Sequence, residues 1–167
     1  QLTAPEKLQV GGVNARFHPN EKTDILFEVA GSKNDLNLFS SIDNENNDGF
    51  AGRINGKQTV FKNSDNLKLD ALLSLDYINE DFRSIERLYD VEFSRNWNIE
   101  NPLGDQRFII GGLDFSDQKF GSVRYEFQNL DYSESYQGFR HVLGANLMFG
   151  NFKIYSNFSS LQSDDKI

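Results

Sequence analysis

His18 and His141 are the only imidazoles in the chain. A Ser-His-acid hydrolase would need one of them beside a nucleophilic serine. Ser32, Ser74 and Ser122 fall at polar alternating positions, but no Gly-x-Ser-x-Gly elbow is present. The expectation is a non-catalytic chain with both histidines as ordinary polar residues. The run Asp43-Asn44-Glu45-Asn46-Asn47-Asp48-Gly49 is dense in hard oxygen ligands. Asp43, Glu45, Asn47 and Asp48 are its candidate calcium ligands. The EF-hand pattern is only partly met: Asn44, Asn46, Asp48 and Gly49 fit, but position one is Asn and position twelve is Asn55, not Glu. The plainer reading is a solvated hairpin tip ending in Asp-Gly. No cofactor is implied.

The carboxylate pairs Glu80-Asp81 and Asp164-Asp165 lack the apolar surroundings that raise a pKa for acid–base work. Arg83, Arg87 and Arg95, with Glu86 and Glu92, surround Tyr89, Phe93 and Trp97. Arg87, Tyr89, Arg95 and Trp97 are the candidates for lining a lumen or holding a ligand. The arginines suit carboxylate pairing that anchors an inserted loop. Trp97 and Tyr89 suit stacking on a sugar, and equally core packing. Asn157-Phe158-Ser159 is a sequon in the middle of a strand candidate, and carries no weight.

Composition limits the classes. Among 167 residues, 17 are basic and 25 acidic, a net charge of −8, and the basic residues are scattered. Phosphate recognition needs a basic stripe, so nucleic acid is not an expected partner. Cys is absent, which excludes disulfide scaffolds and thiolate metal sites. Fifteen Phe argue against a disordered acidic chain. No run of eighteen apolar residues occurs, so no transmembrane helix is expected. A length of 167 suggests one domain, 1–167. Gln1 carries neither an initiator Met nor a signal peptide, as expected of a mature terminus or a stretch inside a longer protein.

The elements that must position these residues are strands. Hydrophobic periodicity is close to two nearly everywhere. In 67–78, Leu67, Leu69, Ala71, Leu73, Leu75 and Tyr77 share one face. Lys68, Asp70, Leu72, Ser74, Asp76 and Ile78 share the other. Similar runs lie at 13–18, 25–32, 49–61, 108–115, 122–128, 142–149 and 152–159. Asn55-Gly56 could break the 49–61 run. Phe149-Gly150-Asn151-Phe152 suits a two-residue type II′ hairpin. Short turns between consecutive runs predict an all-β, antiparallel up-and-down sheet of about eight or nine strands. The 79–106 region is ambiguous. Phe82, Ile85, Leu88 and Tyr89 fit one helix face, so 79–87 is read as a helical turn. Ile85 through Trp97 at every second position fits a strand, which is preferred from about Leu88.

Three runs, 67–78, 120–132 and 138–149, reach about twelve residues, beyond the five or six of ordinary soluble strands. Membrane-spanning strands need about nine to eleven. The 67–78 apolar face carries no charge, and Tyr77, Tyr132, Tyr136, Phe149 and Phe152 near run ends suit an interfacial girdle. Phe27–Ser32 through Asp35–Ser40 to Gly49–Gly52, with Glu92–Asn98 and Tyr136–Arg140, resembles large outer-membrane β-barrel proteins of Bacteroidota. The resemblance is one of Asn/Phe/Ser-rich style over nearly the whole chain. It implies part or all of a transmembrane barrel in the cell outer membrane, with a transport, scaffold or envelope-complex role. It also implies lipid, other envelope proteins or the rest of a larger barrel as partners. The terminal Ser163-Asp164-Asp165-Lys166-Ile167 lacks the aromatic on which such barrels commonly finish, which suits a stretch of a longer one. The competing expectation is a secreted or periplasmic β-sandwich or barrel that binds carbohydrate or protein, with calcium in the 43–49 loop.

Overall fold

The computed structural model describes residues 5–37, 39, 47–63 and 67–166. Eight strands run in chain order: β1 (Lys7–Asn20), β2 (Thr23–Asp35), β3 (Asp48–Lys62), β4 (Leu67–Ile78), β5 (Gln106–Asp117), β6 (Gly121–Tyr132), β7 (Tyr136–Phe149) and β8 (Phe152–Asp165). One helix, α1 (Phe93–Trp97), lies between β4 and β5. The strands form one sheet in the order β1 to β8, every neighbour antiparallel. This is the meander that short polar turns dictate. No ladder joins β1 to β8 among the described residues.

The eight strands agree with the expected eight or nine. Two local expectations need correction. β3 passes through Asn55-Gly56 unbroken, because both residues pair across to β2 and β4. Its irregularity comes later, where Val60 is skipped between Thr59↔Asp70 and Phe61↔Leu69. The strand expected from Leu88 to Trp97 does not exist. β4 pairs directly with β5, and residues 79–105 leave the sheet as loop and α1. Tyr89, Phe93 and Trp97 recur every four residues, a spacing that satisfies a helical face as well as a two-residue period. The positions midway between them, Val91 and Arg95, are exposed, Val91 at 75%. Asn98, in the left-handed region at φ 52°, ends α1.

Chain reversals are local. Gly150 has φ 59° while Asn151 does not have positive φ, as the first and second positions of a II′ turn require. The connections after β1, β3, β5 and β7 occupy 21–22, 63–66, 118–120 and 150–151. Those after β2, β4 and β6 occupy 36–47, 79–105 and 133–135. Both long connections therefore lie at one end of the sheet.

Register fixes two faces, since directly opposed residues share a face. Arg53 stands opposite Asp76, Asp76 opposite Phe108, and Phe108 opposite Leu130. That face is the inner one. It is hollow: Arg16 of β1 and Arg124 of β6 line one cavity together with Asn55, Leu72 and Ile110 from the strands between. The buried core sits on this face too. Trp97 and Ile99 pack with Phe108, Leu130, Tyr132 and Tyr136. Tyr132 and Tyr136 are thus core residues, not girdle residues as expected from their place near strand ends. Tyr77, Phe149 and Phe152 do lie on the outer face at strand ends.

Candidate inner-face site and the segment across it

The inner face is built from charge pairs that strand alternation brings side by side. Arg53 of β3 donates two hydrogen bonds to Asp76 of β4, at 2.9 and 2.7 Å. The pairing is bidentate, with Asp76 itself buried. Tyr89 adds its hydroxyl to Asp76 at 3.0 Å and accepts from Gln106 Nε2 at 2.8 Å. Tyr132 donates to Gln106 Oε1 at 2.8 Å. One hydrogen-bonded chain therefore runs from β3 through β4 and the 79–105 segment to β5 and β6. Toward the short-turn end, Asp70 receives Lys68 at 2.8 Å, Lys57 at 3.0 Å and Thr59 at 2.7 Å. Arg16 pairs with Asp24. Arg124 and Glu126 pair on β6.

The 79–105 segment lies across this face. Asp105 holds its base by accepting from Tyr77 Oη (2.5 Å), Asn79 Nδ2 (3.0 Å) and the Glu80 amide (3.0 Å). Those donors, Tyr77 first, hold the Asp105 carboxyl below the usual carboxylate range. On the β2–β3 side the Arg83 amide donates to Ser32 Oγ at 2.9 Å. Phe82 comes so close to Gly49 that a Cβ there would sit 2.3 Å from Phe82 backbone atoms. On the β6–β7 side Trp97 is 1% exposed, and its carbonyl accepts from Tyr136 Oη at 2.5 Å. Tyr136 reaches it by lying over Gly138, whose missing side chain leaves the room. Tyr89 stacks on Phe93 with ring centroids 4.2 Å apart, and Trp97 meets Phe108 edge-on at 5.5 Å. Burial, then the charge of Asp76, pushes the Tyr89 hydroxyl above the usual phenol range.

Of the four lumen or ligand candidates, Tyr89 and Trp97 enter this assembly. Arg95 pairs with Glu92 at 2.7 Å on the exposed side of α1, and Arg87 faces solvent. Trp97 has no open ring face on which a sugar could stack. The histidines lie on opposite faces: His18 Nε2 is 3.1 Å from Asp24, and His141 Nδ1 is 2.8 Å from Tyr125 Oη on the outer side. Ser32 is engaged by Arg83, Ser74 by Asn55, and Ser122 stands opposite Asn146. Asp164 and Asp165 end β8, and Glu80 and Asp81 begin the inserted segment. Of the calcium candidates, Asp43 and Glu45 lie outside the described residues. Asn47 is buried, with its carbonyl accepting from the Asn34 amide, and Asp48 opens β3 3.7 Å from Lys33. Among the described residues no three or more metal-ligating side chains converge.

Sequence reading did not single out Arg53, Gln106 or Gly138, and it read Gly49 as the end of a hairpin tip, whereas Gly49 lies within β3 against Phe82. The available signal was Asp76, a charge inside a long apolar run that must find a partner one strand away.

The outer face is different. Val13, Phe27, Ile54, Leu73, Leu113, Tyr125, Leu143 and Phe158 represent its eight strands, and it holds no Asp, Glu, Lys or Arg along the middle of any of them. Charges return at its rims: Lys33 with Asp48, Arg107 with Asp131 (3.0 Å) and, at the other end of β5, Asp117. Nothing among the described residues covers this face, and Val13, Val29 and Phe158 are each more than 60% exposed. No family model, curated protein or solved structure matches the chain.

Proposed function

We propose that the chain forms wall and lumen of an outer-membrane β-barrel and works as a non-catalytic transport or scaffold element of the cell envelope. The observation that carries the reading is the charge-free middle band of the outer face, shared by eight consecutive strands and set against an inner face rich in ion pairs. Lipid demands the first and a watery lumen tolerates the second. The height fits. Between the outward Arg107 and Asp117 lie ten residue steps, about 33 Å along the strand. At a tilt of about 45° this gives a band of roughly 23 Å, near the apolar height of such barrels. Short turns at one end and long connections at the other match the periplasmic and extracellular ends. The partners on this reading are outer-membrane lipid on the apolar face and other strands or envelope proteins at the margins.

The absence of Cys makes a clean test. Single cysteines at Leu73, Leu113, Ser74 and Asp114 carry an environment-sensitive fluorophore in vesicles containing doxyl-labelled lipid. The expected result is strong quenching at Leu73 and Leu113 and weak quenching at Ser74 and Asp114. Equal, weak quenching at all four, with the protein β-rich in plain buffer, would sink the membrane reading.

A further inference from the structure

We propose that the cavity between the inner face of β1–β4 and the start of the 79–105 segment binds a small amphipathic cation: an ammonium group on a compact apolar body. The site stands on the inner face alone, whatever covers the outer one.

The cavity has a volume of about 390 Å³, within the range that holds small organic ligands. Register builds its sheet side from two adjacent rows of inward positions. One row runs Gly12, Ala30, Ala51 and Ile78, and the other runs Asn14, Glu28, Arg53 and Asp76. Gly12 and Asn14 lie in the regularly paired stretch of β1, before its irregularity between Phe17 and Asn20. Strict alternation therefore places both inward. Beyond the first row the inner face is covered: the Arg83 amide bonds Ser32, and Phe82 lies on Gly49. Phe82 and Leu88 then line the cavity from the segment. Gly12, Ala30 and Ala51 carry at most a methyl group, so sheet and segment stay apart there. With Ile78, Phe82 and Leu88 around them, they form an apolar chamber that ends on the polar row.

Charge decides what such a chamber takes. Arg53 stands between Glu28 on β2 and Asp76 on β4, and gives both its hydrogen bonds to Asp76. The other inward carboxylates of β2 and β4 also have cations: Asp24 has Arg16, and Asp70 has Lys57 and Lys68. Glu28 feels the field of Arg53, but among the described residues it accepts no hydrogen bond and forms no ion pair. It is nevertheless half-buried. The cavity thus holds one cation, Arg53, against two carboxylates, Glu28 and Asp76. An anionic ligand would meet Glu28 and find Arg53 committed. A metal ion would want six or more oxygen ligands, and among the described residues no three metal-ligating side chains converge. A neutral donor would bond Glu28 and leave its charge uncompensated. An ammonium compensates it and brings three donors. Asn14, directly across from Glu28 on β1, offers an amide oxygen to a second of them.

Methyl-labelled NMR of the full folded chain tests this, in lipid nanodiscs or, should the chain fold without lipid, in buffer. The probe is phenethylammonium, with phenethyl alcohol and phenylacetate as its neutral and anionic counterparts. The expected result is saturable shifts of the Ala30, Ala51, Ile78 and Leu88 methyl signals with the ammonium. Leu143 and Ile154 on the outer face should stay unmoved at the same concentrations. The alcohol should bind about tenfold more weakly, the worth of one hydrogen bond to a charged group. Glu28→Gln keeps the side-chain shape and should lower ammonium affinity to that of the alcohol, leaving the alcohol unchanged. Ala30→Leu fills the chamber and should abolish the saturable shifts; if that chain does not fold, Glu28→Gln decides alone. Equal affinity for ammonium and alcohol, tighter binding of phenylacetate, or ammonium binding indifferent to Glu28→Gln would each overturn the inference. So would shifts that fail to saturate, or that move the outer-face methyls in step. Loss of the lipid quenching pattern would remove the membrane reading and leave this result standing.

Discussion

Tyr136 and Gly138 show how much a single position can decide. Side chains two apart on a strand share a face, and the Tyr136 ring lies where a Gly138 side chain would be. A Cβ at 138 would stand 2.5 Å from the Tyr136 hydroxyl oxygen, and Tyr136 is too buried to swing aside. Gly138→Ala is therefore expected to destabilise the packing by about 1–3 kcal/mol, the range for overfilling a packed site. It should break the Tyr136–Trp97 hydrogen bond. Trp97 is the only tryptophan, so its emission reports this directly: a red shift in the variant, with far-UV circular dichroism unchanged. Asp105 makes a second prediction at this scale. Its folded pKa is depressed, so its contribution is present above the unfolded value of about 3.9 and is lost as pH falls through the folded value. Trp97 emission should stay constant from pH 7 to 5 and shift only below about pH 4. Asp105→Asn should show the loosened segment already at neutral pH, with a smaller acid step.

At the scale of elements, the strands were legible and the inserted segment was not. The face split of 67–78, read residue by residue, is the split observed in β4. Alternation survives because each strand has one apolar and one polar environment along its length. The 79–105 segment defeats the same reading for a specific reason. Its aromatic residues recur at four, a multiple of two, so a strand pattern and a helical one coincide. Only exposure of Val91 and Arg95 separates them, and exposure belongs to the folded state. Tyr132 and Tyr136 were misread in a related way. Nearness to a strand end suggests a girdle, but the face a residue occupies is decided by register, and register placed both beneath the segment.

For the whole molecule the consequence is two surfaces of opposite kind on one sheet. On the proposed membrane reading, a charge introduced on the outer face should be penalised according to depth, and one on the inner face should not. Leu73→Arg is expected to lower the free energy of folding into bilayers by about 2–4 kcal/mol, the range for a midplane arginine. Ser74→Arg, one residue along and facing the other way, is expected to change it by less than half of that. Urea titration of vesicle-inserted protein reads both.

What the amino-acid sequence determined by itself is the antiparallel meander, the two-faced strands and the positions of the tight turns. Each follows from local chemistry: a period of two, a turn residue, a glycine that accepts positive φ. Only the tertiary structure decided that Arg53 meets Asp76, that Tyr89 joins them to Gln106, and that 79–105 lies across the inner face from β2 to β7. Those contacts depend on register and on curvature summed over eight strands, and such long-range sums leave no periodic trace in the sequence.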